Sequence, residues 1–91
     1  MDNKYLMSKF WEETDYVNRS KYRLKVMKSL DGDVKIPSEI ANDTEIFQKH
    51  ISNTLRQLKE HELIECINPE VRKGRLYRLT DKGDELVKNL E

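Results

Sequence analysis

Residues 46–63 read IFQKHISNTLRQLKEHEL, and the periodicity of this stretch decides how the rest of the chain is organised. Ile51, Leu55 and Leu58 recur at helical spacing, with Phe47 one turn earlier. The pattern predicts one amphipathic helix over 46–63 with that stripe facing inward. The opposite side carries Gln48, Lys49, Ser52, Asn53 and Arg56, which share one face of such a helix. That face offers amides, a hydroxyl, an ammonium and a guanidinium, and these five positions include no carboxylate. Such groups suit the reading of base edges and the holding of phosphates in a major groove. A polar face is also what any solvated helix shows, so the neighbouring segments must decide between the two.

Upstream, Val34, Lys35 and Ile36 form a short extended piece before Pro37. Proline biases its predecessor towards an extended backbone and suits the first turn of a helix. A short helix through residues 38–42 follows, with Ile40 and Ala41 inward. Asp43, Thr44 and Glu45 then make a turn that Ile46 anchors. A short helix, a tight turn and a longer polar-faced helix make a helix-turn-helix. Before it, residues 17–30 read as one helix with Tyr22, Val26, Met27 and Leu30 on its buried side, ended by Gly32.

Downstream of Leu63 the period changes from helical to alternating. Residues 64–68 and 76–79 read as the two strands of a β-hairpin. The connecting loop has Gly74 as its flexible point and carries Arg72, Lys73 and Arg75, a cationic tip suited to phosphate. Thr80 caps a last helix over 81–90 with Leu86, Val87 and Leu90 on its apolar side. Near the N-terminus, Leu6, Met7, Phe10 and Trp11, with Tyr5 before them, form a compact stripe on a helix. Such aromatics need cover, from a second subunit or from the chain's own core.

The chain has 91 residues, 37% of them charged, with a formal net charge of +0. This suits one small α+β domain, mostly α, whose modest core gains from dimerisation. The neutral total conceals segregation. Arg19, Lys21, Arg23, Lys25 and Lys28 fall in a run without an acid, as do Arg72, Lys73, Arg75 and Arg78. Either run can be a solvated face, or can lie along a phosphate backbone. A single cysteine, Cys66, excludes an internal disulfide framework and favours a cytoplasmic protein. No apolar run is long enough to span a bilayer.

No catalytic arrangement is present, so an enzyme has no positive support. His50 and His61 lie about three helical turns apart and cannot chelate one metal together. Cys66, between apolar neighbours on an alternating strand, reads as a small buried hydrophobe. No cofactor is implied, and no small-molecule effector is named by the residues.

The segments PSEIANDTEI (37–46), HISNTLRQLKEHELIECINPE (50–70) and RKGRLYRLTDKG (72–83) resemble small archaeal winged helix-turn-helix transcriptional regulators of the MarR-like superfamily. The resemblance covers roughly residues 19–90. It implies a single domain: an N-terminal extension over 1–16 that serves dimerisation, a winged-helix core over 17–79, and a C-terminal helix over 80–91. It also implies a homodimer on double-stranded DNA, without a membrane. The recognition helix would contact the major groove through Gln48, Lys49, Ser52, Asn53 and Arg56. The wing would reach backbone or minor groove through Arg72, Lys73 and Arg75. A winged helix can instead bind a protein partner within a larger assembly, and Glu45 and the neutral charge favour that alternative. Glu45 and Glu62 stand where the family often has glycine, which predicts reshaped turns at both places.

Overall fold

The computed structural model describes residues 3–90, and of residues 3–10 the backbone course alone. Five helices and a two-stranded sheet follow in the order α1 (Asn3–Asn18), α2 (Lys21–Ser29), α3 (Pro37–Thr44), α4 (Gln48–Glu60), β1 (Ile64–Cys66), β2 (Tyr77–Leu79) and α5 (Asp81–Val87). The expected α+β class and winged helix-turn-helix order are both present. Helices α2, α3 and α4 pack on one another, α1 lies against α2, and α5 closes the core from the other side.

The helix expected over 17–30 is two helices. Val17 is fully buried in the last turn of α1, and α2 starts afresh at Lys21. Ser20 makes the break. Its backbone is extended (φ −123°, ψ 120°), and its hydroxyl accepts from the Arg23 N–H at 3.2 Å. A serine competes for backbone donors in this way more readily than it continues a helix. Tyr22, expected inward, is 42% exposed; Val26, Met27 and Leu30 hold the inner side.

Helix α3 begins as its proline requires. Pro37 takes the first turn, and the Glu39 carboxylate accepts from the Ile36 N–H at 3.0 Å. Helix α4 is shorter than 46–63, and its inner side is Ile51, Thr54, Leu55 and Leu58. Thr54 joins that side because its hydroxyl donates to the His50 carbonyl at 2.9 Å, which removes the cost of burying it. Phe47 does not join it: the ring is 77% exposed, and Ile46 fills the core instead.

The turns at Glu45 and Glu62 are not reshaped. Both residues adopt the left-handed conformation, each at φ 59°. After α4 the Leu63 N–H donates to Leu58 O at 3.0 Å and the Glu62 N–H to Lys59 O at 2.9 Å. This is the paired C-terminal closure usually completed by glycine. The two backbone hydrogen bonds and the burial of Leu63 outweigh the steric cost of a Cβ at this position, roughly 1–2 kcal/mol.

Strands β1 and β2 are antiparallel, with Ile64 opposite Leu79, Glu65 opposite Arg78 and Cys66 opposite Tyr77. They are shorter than expected. The extended piece before Pro37 joins them through Lys35, whose backbone exchanges two hydrogen bonds with Tyr77. Cys66 is half-buried, and its thiol donates to Asn68 Oδ1 at 3.5 Å. Beyond β1, Ile67 is 41% exposed.

The N-terminal stripe of Tyr5, Leu6, Met7 and Phe10 lies outside the residues whose side chains are described; Trp11 is described, and is 67% exposed. Leu86, on the apolar side of α5, is buried in this chain's own core, where it packs with Val26, Met27 and Leu30 in the same cluster. It is therefore not free to meet a second copy.

Candidate nucleic-acid interface

Helix α4 presents Gln48, Lys49, Ser52, Asn53 and Arg56 on its exposed side, all five open to solvent. The core grips the other side, so the helix cannot roll without exposing Ile51 and Leu58. Within the face, Arg56 is already engaged. Its Nη2 donates to Asn53 Oδ1, and its Nη1 lies 3.6 Å from the Glu60 carboxylate. Exposed pairs of this kind are worth little and exchange readily for a better anion.

The wing stands beside this face. A hollow of about 240 Å³ is lined by Ser52, Arg56 and Lys59 from α4, by Arg75 and Tyr77 from the wing, and by Pro37 and Leu55. The structure thus brings Ser52, Arg56 and Arg75 together. It adds Lys59, which the sequence reading left out although it lies three positions after Arg56 on the same stripe.

The loop between β1 and β2 is built on Asn68. Its Oδ1 accepts from the Leu76 N–H at 2.7 Å, and its Nδ2 donates to Gly74 O at 3.1 Å. Gly74 supplies the positive φ of 74° that the turn needs. Arg72 and Lys73 point out at the tip, exposed and without an ion-pair partner among the described residues. Arg75 differs from them. Its Nε donates to Val71 O at 2.7 Å and its Nη2 to Pro69 O at 3.3 Å, so the guanidinium braces the loop from within.

The basic run ahead of the helix-turn-helix also divides. Arg19 pairs with Asp15 at 2.8 Å. Arg23 lies over the Tyr16 ring at 3.7 Å and donates twice to the Tyr16 carbonyl. Lys25 and Lys28 remain on the outside of α2 and line a second hollow of about 450 Å³ with Lys35, Asp43 and Glu45. There Lys35 lies 2.5 Å from Asp43.

One further cluster ties the N-terminal helix to the end of α4. Glu13 reaches Lys82 at 2.6 Å and His61 at 3.7 Å, while His61 stacks on Tyr16 with centroids 4.1 Å apart. Lys82 also donates to the His61 carbonyl at 3.0 Å. His61 is the C-cap of α4, so the pose of α1 and the end of the polar-faced helix are mechanically joined. Among the described residues no group of His, Cys, Asp or Glu side chains is placed to hold a metal ion. No described helix is long and apolar enough to cross a membrane.

Comparison with known sequences gives the lineage. The pattern of the bacterial regulatory proteins of the arsR family matches residues 20–65, from the cap of α2 to the middle of β1. The chain belongs to the ArsR family. By this match it carries the helix-turn-helix of that family's regulatory proteins, and its fold is the winged helix. No curated protein matches it in sequence.

Several solved structures, MarR-family regulators among them, share its fold. A MarR-family transcriptional regulator from Silicibacter pomeroyi DSS-3 superposes with a TM-score of 0.69 at 15% identity, covering 96% of this chain and 65% of that one. NadR, in a complex with 4-hydroxyphenylacetate, gives 0.69 at 19%, covering 96% and 63%. A mutant of ZitR from Lactococcus lactis gives 0.66 at 17%, covering 98% and 73%. The ArsR-family chain thus spans less than two thirds of the first two. At these identities the likeness speaks for the shared winged-helix fold.

Proposed function

We propose that this chain binds double-stranded DNA as a homodimer and so regulates transcription from a cytoplasmic location. Helix α4 lies in the major groove, where Gln48, Lys49, Ser52, Asn53 and Arg56 meet base edges and nearby phosphates. Arg72 and Lys73 reach the backbone or minor groove from the wing, and Arg75 holds the wing in shape while facing the same strand. The reading keeps the division into an extension over 1–16, a core over 17–79 and a terminal helix over 80–91. It also keeps the likeness to archaeal regulators.

The observation that carries it is the hollow between α4 and the wing. Three cations from two separate elements, Arg56, Lys59 and Arg75, line one cleft, flanked by the open amides of α4. Phosphate contacts position a protein and base contacts specify the sequence, and this surface has groups for both. A chain with no net charge can do this because none of the residues that line the hollow is acidic, although Glu60 stands beside Arg56. The exposed Trp11 supports pairing through α1.

The test is a binding titration on duplexes selected from a random pool, at about 50 and 200 mM salt. Each phosphate neutralised adds about 0.9 to the logarithmic salt slope. A slope of several and a preference over scrambled duplex are expected. Salt-insensitive or absent binding would put the protein-partner reading in its place.

A further inference from the structure

Phe47 stands where helical geometry alone would bury it. It precedes Ile51 by one turn, and Ile51 is fully buried. The chain leaves the helical course at this cap, with φ −59° and ψ 140°, and Ile46 takes the inner place at 5% exposure. The aromatic ring is swung outward and is 77% exposed. From Pro37 to Glu60 it is the one exposed large hydrophobic side chain.

Its surroundings say what it meets. Gln48 and Lys49 follow it directly, and Ser52 lies about one turn further on; all are exposed. The nearest preceding acid, Glu45, lines the hollow shared with Lys25, Lys28, Lys35 and Asp43. An exposed ring followed by amide, cationic and hydroxyl side chains differs from the apolar cluster that makes up the centre of a protein interface. It suits a polyanion that offers a single small apolar group. Duplex DNA offers one in the major groove, the 5-methyl group of thymine. The N-terminal residues of a recognition helix are those that reach base edges.

We propose that Phe47 is a specificity residue that packs against a thymine methyl group at the N-terminal tip of α4. The inference rests on the docking proposed above and adds a base that the polar residues do not read. It also explains the exposed ring, which gives the isolated fold little burial and becomes covered on DNA.

The experiment uses the intact chain and a duplex selected from a random pool. Each thymine is replaced in turn by uracil, which keeps the pairing and hydrogen-bonding edges and lacks only the methyl group. Wild type should lose about fourfold in affinity at one position per half-site, the worth of one buried methyl group. Phe47→Ala should bind the thymine and uracil duplexes alike at that position, and Phe47→Leu should retain part of the difference. Circular dichroism should be unchanged, because the ring supports little of the core. A wild type indifferent to every uracil overturns the inference while leaving DNA binding intact. So does a Phe47→Ala variant that keeps the full loss at the same base, or one that changes the mass of the DNA-free protein. Failure of wild type to hold any selected duplex overturns the proposed function first, and this inference with it.

Discussion

Gly83 lies so close to Leu63 that a Cβ on it would stand 2.0 Å from the Leu63 carbonyl oxygen. Helix α5 therefore rests directly on the backbone that links α4 to β1. Thr80 locks the approach: its N–H donates to Leu63 O at 3.1 Å, and its hydroxyl donates to Glu62 O at 2.7 Å. The same hydroxyl accepts from the Gly83 N–H at 3.0 Å. Gly83→Ala must push α5 off this seat, and overpacking of that kind costs about 1–3 kcal/mol. Urea denaturation should show the upper part of that range. A loss below about 0.5 kcal/mol, the scatter of ordinary surface changes, would contradict the close approach.

The two left-handed glutamates predict the opposite sign. Glu62→Gly removes a steric cost of roughly 1–2 kcal/mol and returns part of it as the greater freedom of glycine in the unfolded chain. A net gain of about 0.5–1 kcal/mol is expected in the same denaturation, and a similar gain for Glu45→Gly. Loss of stability in both would mean that the side chains hold these turns.

Much of this fold is readable from periodicity and punctuation. Pro37, Gly32 and the stripe of Ile51, Leu55 and Leu58 each act locally, and each does what its local rule requires. The misreadings come where a tertiary demand overrides a local one. Phe47 and Ile46 compete for one inner position at a cap, and helical phase alone cannot choose between them. Ser20 breaks a helix that hydrophobic spacing would continue. In the candidate site the open face of α4 is legible from spacing, but the inward turn of Arg75 depends on carbonyls of its own loop.

The arginines of the wing should therefore separate. Arg72→Ala and Lys73→Ala remove exposed charges and should weaken selected and scrambled duplexes alike, each reducing the logarithmic salt slope by about one. Arg75→Ala should also loosen the loop. Amide exchange at Gly74 and Leu76, measured without DNA, should rise in Arg75→Ala and stay unchanged in Arg72→Ala. Equal exchange in both variants would remove the bracing role.

Pairing through the N-terminal helix is tested by removing residues 1–10, which leaves the Glu13 contacts with His61 and Lys82 in place. Light scattering at micromolar concentration should give a dimer for the intact chain and a monomer for the shortened one. DNA affinity should fall with it, since two half-sites are no longer held together. An intact chain that is monomeric at that concentration would refute the dimer.

Asn53 and Arg56 make the most discriminating pair, because each satisfies the other before DNA arrives. An amide suits adenine and a guanidinium suits guanine, each through two hydrogen bonds, at about 1–3 kcal/mol of discrimination. In the free protein the Asn53 oxygen is engaged by Arg56, and Arg56 also faces Glu60 at 3.6 Å. Binding must break or share these contacts, so the two substitutions should not be additive. Asn53→Ala should change the preferred base at one position and release Arg56 to swing towards a phosphate. Arg56→Ala should weaken the selected site and leave the Asn53 amide better placed for its base. Each single substitution already removes the cost of breaking the pair, so the double substitution should cost more than the sum of the two, by about 0.5 kcal/mol or more in a double-mutant cycle on the selected duplex. Additive losses would mean that the contact is worth the same in the free and the bound protein, so that binding does not break it. No change in affinity or base preference on any duplex would remove both residues from the interface.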